Sequence, residues 1–305
     1  MVARVRSKQG SPRCPSVREC RLSTEVLAAH ARYSAPRMGA LTKITDRVYW
    51  MPPGPPDRPS LCGVVGERHT LMLDAGSSAA HTRSFLDALL GASGVRPSAV
   101  VYTHSHWDHV LGGVELGGIV IAHALTAEGL IELADRDWSD ESLARRVADG
   151  GSSAEHAAAV KAEMPSPRAV EVAPADVIFH DEIELDLGGV TVRVRHIGGD
   201  HSADSCVIYV EPDSVLFMGD CLSASPEGVM TSESASRLRE VVLGFAAKHY
   251  IEGHHDSVSS RMAMEELFGK IQLAERAARE GLVVEAPDED AEYFTEAFRA
   301  GLLTS

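Results

Sequence analysis

The sequence predicts an α/β fold, one large domain of two β-rich halves each covered by helices, on three observations. Apolar runs of strand length at Thr70–Leu73 and Ala99–Thr103 flank Ser78–Leu90, whose apolar residues recur at helical spacing behind a Ser cap, which makes a β-α-β unit. In the second half, Val177–Phe179, Ile183–Leu187 and Val190–Arg195 alternate apolar and polar residues at period two, with Gly188-Gly189 as a hairpin turn. The 99–103 strand runs straight into a block of His and Asp.

The remaining elements follow in chain order. Val48-Tyr49-Trp50 reads as a first strand, stopped by Met-Pro-Pro-Gly-Pro-Pro-Asp-Arg-Pro-Ser at 51–60, which cannot enter a sheet interior and is expected as a surface loop. Leu61–Gly66 forms a hairpin with Thr70–Leu73 and ends in Asp74-Ala-Gly76. Ile119–Ala122 is a short strand. From about Leu125 to Lys161 the chain is helical, polar and Ala-rich, broken in two by Gly150-Gly-Ser-Ser153. This helical insertion, at about 124–164, carries Arg136, Trp138 and His156; it either covers and shapes a substrate pocket or is a solvated helix pair. Val207–Val210 and Val215–Met218 pair around Pro212-Asp213, Arg237–Lys248 is an amphipathic helix, Tyr250-Ile251 a short strand, and Met262–Arg279 and Asp290–Leu303 are terminal helices.

At 305 residues and 44% hydrophobic composition the chain can bury a sizeable core. Its net charge of -15 argues against nucleic acid or an anionic membrane as principal partner and leaves a small-molecule substrate; it sets no oligomeric state. Residues 1–37 hold eight Lys or Arg against two Glu, a balance of +6, so the remainder carries -21. That segment is expected to be a disordered extension, or upstream sequence included by an early start codon, with the folded domain at 38–305; its Arg-rich, acid-poor make-up is also what transit peptides show. Five scattered Cys make no disulfide framework and point to a reducing cytoplasm, and no apolar stretch is long enough to span a membrane.

The chemistry concentrates in Val100–Gly113, Val-Val-Tyr-Thr-His-Ser-His-Trp-Asp-His-Val-Leu-Gly-Gly. His104 and His106 leave the same face of extended backbone, and Asp108 and His109 follow where the chain turns. Imidazole nitrogens and a carboxylate suit zinc or a similar first-row ion, and one ion takes about four ligands, so four candidates within six residues suggest two metals.

With this block the sequence resembles the metallo-β-lactamase-fold hydrolases, whose signature is H-x-H-x-D-H followed later by a His, an Asp and a last His. His104, His106, Asp108 and His109 match the first block, His201 the Gly-rich turn after a strand, Asp220 of Gly219-Asp220 the next, and His254 of Gly253-His254 the last. His254 is preferred to His255 because the family's ligand follows the Gly directly. Asp200 stands where Gly or Pro is commoner, and His196 is read as structural because it still belongs to the strand.

The resemblance covers about residues 41–270 and implies a four-layer αβ/βα sandwich with the site along one edge of the two sheets. It places His104, His106 and His201 on a first metal, Asp108, His109 and His254 on a second, and Asp220 on both. The ions implied are two Zn2+ per chain, with iron or manganese as alternatives. Asp74 either supports the site without ligating or is an ordinary strand-end turn, and Trp107 either lines the pocket or packs beneath the loop.

The activity implied is hydrolysis of a small ester, lactone or thioester by a metal-bridging hydroxide, with Asp108 and Asp220 as catalytic residues. Two dications, two carboxylates and one hydroxide leave the site at +1, so no protein nucleophile is needed and Cys221 reads as a packing residue. A phosphodiesterase or β-lactamase-like hydrolase is the alternative within the class. Outside it stands a mononuclear iron enzyme of the persulfide-dioxygenase type, which the full ligand set disfavours.

Overall fold

The computed structural model describes residues 5–6, 40–284 and 288–304. The expectation for 1–37 lies outside the described residues except at β1 (Val5–Arg6), a two-residue strand. The first half then runs β2 (Thr42–Lys43), β3 (Val48–Met51), β4 (Leu61–Val65), β5 (Thr70–Leu73), α1 (Ala79–Ser93), β6 (Ala99–Val101), α2 (Trp107–Val110), α3 (Gly113–Leu116), β7 (Ile119–His123), α4 (Ala124–Ala134), α5 (Asp140–Ala148), α6 (Ala154–Glu163) and β8 (Val177–Phe179). The second runs β9 (Glu182–Asp186), β10 (Thr191–His196), β11 (Cys206–Glu211), β12 (Val215–Phe217), α7 (Ser232–Gly244), β13 (His249–Ile251), β14 (Ser259–Ser260), α8 (Arg261–Glu280), β15 (Val283–Val284, paired with β1) and α9 (Glu289–Thr304).

Strands β2 to β8 lie in sequence order in a seven-stranded sheet, antiparallel as far as β5 and parallel from β5 to β8. A six-stranded sheet has the order β14-β13-β12-β11-β10-β9, with only β12 and β13 parallel. Side-chain alternation sorts each strand between two cores. Val48, Trp50, Leu71, Leu73, Ile208, Val210, Val215 and Phe217 meet between the sheets. On the outer face of the first sheet, Tyr49, Met51 and Met72 pack against Phe85, Leu86 and Leu89 of α1 and Leu143 and Val160 of α5 and α6. On the outer face of the second, Val207, Tyr209 and Leu216 pack against α7, α8 and α9 through Leu238, Phe268 and Phe298. Three cores between four layers give the helix–sheet–sheet–helix sandwich expected.

The structure corrects the sequence reading in several places. The region 125–161 holds three helices, not two, because Ser139 also caps a helix start, accepting from Ser142 N at 3.1 Å. The helix expected at 237–248 spans 232–244: Thr231 caps it, and Ala235 and Leu238 bury its first turns despite their Ser-rich composition. Val177–Phe179, grouped in the sequence with the two strands after it, belongs to the first sheet, parallel beside β7, while those two form a hairpin in the second. The segment 51–60 is not a free surface loop, since Met51, Pro52, Pro59 and Ser60 are buried. Among the described residues no helix is long and apolar enough to cross a membrane.

The sandwich brings the C-terminal ends of β5, β6, β10, β12 and β13 to one edge. Cys206 N, opening β11, donates to Thr103 O at 2.8 Å just past β6 and stitches the two sheets together there. Phe217 is fully buried between the sheets. Phe217→Ala is expected to destabilise the fold by about 3–5 kcal/mol, read as a lowered denaturation midpoint with an unchanged slope.

Candidate metal centre

After β6 the chain passes through buried Tyr102 and Thr103 and stays extended to His106 (φ -66°, ψ 145°), the residue that precedes α2. Helix α2 is pinned from below by Trp107, which is 4% exposed and packs with Val110 in the first-sheet core. Trp107 therefore packs under the loop and turns Asp108 and His109 toward the sheet edge. The structure gathers two groups there: His104, His106 and His201, and Asp108, His109, Asp220 and His254, with the candidate ligand atoms of each group within 4.8 Å of one another.

Asp220 stands at the junction. Its Oδ2 lies 3.3 Å from His109 Nε2, 3.4 Å from His254 Nε2 and 3.6 Å from His201 Nε2, so one carboxylate faces both groups. Two glycines make this approach possible. Gly219 has a positive φ of 51°, and a Cβ at Gly253 would stand 1.9 Å from Asp220 Oδ1. Both lie on the bond Gly253 N to Gly219 O, 2.8 Å, which joins the ends of β13 and β12.

Metal ions fit these residues on the evidence of their unmatched atoms. His104 Nε2 and Asp220 Oδ1 are buried without a hydrogen-bond partner, a costly state for polar atoms that a cation would relieve. His201 Nε2 and His106 Nδ1 point at one another at 3.0 Å, close to the roughly 3.3 Å between two nitrogens on one tetrahedral zinc ion. Three of the outer ring nitrogens are already engaged: His201 Nδ1 donates to Ala224 O (3.1 Å), His104 Nδ1 to Thr103 Oγ1 (3.0 Å) and His109 Nδ1 to Asp74 Oδ2 (2.7 Å). Each outward bond selects the tautomer whose free lone pair faces inward.

Asp74 anchors this support. Fully buried, it accepts from Thr103 N (2.7 Å), Thr103 Oγ1 (2.8 Å) and His109 Nδ1, and so orients His109 directly and His104 through the Thr103 hydroxyl. Asp204 ties the His104–His106 stretch to the His201 turn by accepting from Ser105 N at 2.8 Å and from Ser202 Oγ.

Electrostatics divide the two groups. Burial, reinforced by the neighbouring imidazoles, holds His104 well below the usual histidine range and His106 down to about 4, so both are neutral and free to ligate. In the second group burial opposes charge, but Asp220, Asp108 and Asp74 outweigh it at His109, and hydrogen bonds to Asp108 and Asp220 hold His254 up to about 10. The carboxylates of Asp108 and Asp220 stay below the usual range despite burial, chiefly because His109 faces them.

All seven residues singled out in the sequence thus converge at this edge. His255 does not: it is exposed and bonds to Ser257. His196 also stays outside, stacked on His123 at 3.8 Å with Nε2 donating to Ala203 O. Cys221 is buried in the second-sheet core. Sequence reasoning passed over Thr103, Asp204 and Asp57. Thr103 and Asp204 lie close to matched motif residues, which was the available signal; Asp57, whose Oδ1 is 3.6 Å from His254 Nδ1, gave none.

Fold and site together define a four-layer α/β sandwich with two His/Asp groups that fit a dinuclear metal centre. The chain belongs to the metallo-beta-lactamase superfamily, which its sequence matches over residues 55–268. Solved structures with the same fold include a metallo-beta-lactamase from Pontibacter korlensis (19% identity over 75% of this chain and 96% of that one, TM-score 0.50). Two others are a metallo-beta-lactamase family protein from Thermus thermophilus (22%, 77% and 83%, 0.55) and a stereoselective inverting sec-alkylsulfatase from Pseudomonas sp. (16%, 87% and 50%, 0.60). No curated protein matches the sequence.

Because a ligand imidazole must be neutral, filling the second group has to expel the protons that its carboxylates hold on His109 and His254. Without metal, a raised histidine pKa stabilises the fold fully below the unfolded value of about 6.5, and this contribution is lost as pH climbs through about 10. Metal affinity runs the opposite way and rises with pH over that window. Calorimetric titration with Zn2+ at pH 7 in two buffers of different ionisation enthalpy is expected to show net proton release; identical heats would contradict the assigned charges.

Proposed function

We propose that the protein is a dinuclear metal-dependent hydrolase of small ester-like substrates, with a carbonyl ester, lactone or thioester preferred to a phosphodiester. Members of its superfamily are mostly metal-dependent hydrolases. The observation that carries the reading is the position of Asp220, one carboxylate within 3.6 Å of nitrogens from both ligand groups.

His104, His106 and His201 would hold one ion, Asp108, His109 and His254 the other, and Asp220 both. Bound there, divalent ions supply Lewis acidity and lower the pKa of water to about 7. The chain's own residues do the rest. Asp108, 3.0 Å from His254 Nε2 across the second group, would help to orient a nucleophilic water. Asp74 and Thr103 keep His104 and His109 in the required tautomers, and Trp107 excludes water from beneath the loop. Among the described residues all three Cys are buried, with thiols pushed up by burial, strongly so at Cys206 and Cys221 and well up at Cys62, so none serves as a nucleophile.

The substrate ranking rests on charge. Two dications, Asp108, Asp220 and one hydroxide give a site of only +1, inside a chain of net charge -15 that does not favour a polyanion. Zinc is the expected ion and the cytoplasm the expected compartment.

Plasma emission on protein purified without chelator is expected to give about two metal equivalents, lowered in Asp220→Ala. Against a panel of lactones, thioesters, carboxylic esters, phosphodiesters, β-lactams and alkyl sulfates, activity is expected on the first three, rising with pH around 7 and abolished in a folded His104→Ala. Turnover by that variant at the wild-type rate would sink the mechanism; cleavage confined to the last three would overturn the ranking and leave the site assignment standing.

A further inference from the structure

The Pro-rich segment 52–60 is built into the wall of the site. Gly54 and Arg58 close it on itself with two backbone bonds of 2.9 and 2.7 Å, and Trp50 Nε1 holds Ser60 Oγ at 3.0 Å. Ser60 N donates at 2.6 Å to the carbonyl of Gly253, the residue before His254. Ser77 Oγ donates to the carbonyl of Asp57 at 3.3 Å.

One side-chain anchor fastens the segment to the helical cover. Arg58 Nε lies 3.1 and 2.9 Å from the two carboxylate oxygens of Glu163, the last residue of α6, whose side chain is 1% exposed. The same carboxylate accepts from Ser78 Oγ, the residue that caps α1. A carboxylate this buried is costly unless paired and hydrogen-bonded. Glu163 finds its cation 105 positions away, on the segment that borders His254.

Held this way, Asp57 faces the back of His254. Its Oδ1 is 3.6 Å from Nδ1, the ring nitrogen turned away from Asp108 and Asp220, while Nε2 meets those two carboxylates at 3.0 and 3.4 Å. At 3.6 Å the contact is electrostatic and not a hydrogen bond. The other inward-facing imidazoles whose outer nitrogen has a partner rest on buried groups: a carboxylate for His109, a hydroxyl for His104, a carbonyl for His201. His254 has the half-exposed Asp57 instead.

We propose that Asp57 and Glu163 are positioning residues for His254. Asp57 acts on the imidazole itself, favouring the tautomer with Nδ1 protonated and Nε2 turned inward. Glu163 acts through Arg58, by fixing the segment that carries Asp57 and that holds the Gly253 carbonyl. Retention of metal by the second group therefore depends on the contact between the cover and the Pro-rich segment, whose two partners are not themselves ligands. This rests on His254 being a ligand in a dinuclear site.

The test is titration of the full, metal-free chain with Co2+ alone, followed by visible absorption, which reads each equivalent without substrate. Wild-type protein is expected to take up two. In Asp57→Ala one equivalent is expected to weaken about 10-fold or more while the other is unchanged and the metal-free chain melts as wild type. Asp57→Glu should recover part of the loss, which a merely structural role would not produce. Glu163→Gln should show the same selective loss, and if it fails to fold, the Asp57 variants carry the test. Asp57→Ala that binds both equivalents as tightly as wild type, or loses both equally, would overturn the proposal while leaving the hydrolase reading intact. Wild-type protein that takes up a single equivalent would overturn both, so the two failures are told apart by which protein shows them.

Discussion

The site depends on one buried carboxylate. Asp74 has no solvent contact and takes a φ of 55°, in the left-handed region that Asp tolerates better than most residues. Burial pushes its pKa up, and the charge of His109, with the bonds from His109 and Thr103, works against that. The backbone at the end of β5 is thus tied to the end of β6 by side chain as well as by the bond from Asp74 N to Val101 O. Because three donors converge on one small group, the two imidazoles it orients cannot turn independently. Asp74 is the support that the sequence left open against an ordinary turn; its contacts decide for support.

What could be read in the sequence was whatever repeats locally or is chemically rare. Alternation in Thr191–His196 reports strand faces because side chains in a strand point to opposite sides in turn, and the apolar runs at Val48–Trp50 and Thr70–Leu73 mark strands buried on both faces. His and Asp at spaced positions behind strands are rare enough to mark a site. Contacts made over long separations could not be read. Nothing in Arg58 announces Glu163, and nothing in a proline-rich stretch says that it will be buried at both ends. Composition misled in a different way at Ser232–Ser236, where Ser favours caps and loops in isolation but is overridden by burial of the neighbouring Ala235 and Leu238.

The two ligand groups differ in charge state for a reason of placement. His104 and His106 lie mainly among imidazoles, with His201 beside both, and lose their protons to burial and mutual repulsion. His109 and His254 lie among Asp74, Asp108 and Asp220 and keep theirs. Protonated imidazoles here stand in for cations by offsetting part of the charge on carboxylates that would otherwise repel, while Asp220 Oδ1 is left without a partner.

Each group also straddles the seam of the sandwich. His104 and His106 follow β6 of the first sheet and His201 follows β10 of the second; Asp108 and His109 come from the first half, Asp220 and His254 from the second. The sheets are otherwise joined by apolar packing, which resists separation but sliding only weakly, by backbone bonds such as Cys206 to Thr103, and by side-chain ties such as Asp204 to Ser105 and Arg47 to Asp213. An ion held in either group would act as a rivet through both sheets, setting their shear as well as their spacing. The halves of the molecule would then have to reach their final register together, and errors of alignment in one sheet would be felt as mismatched coordination by the other.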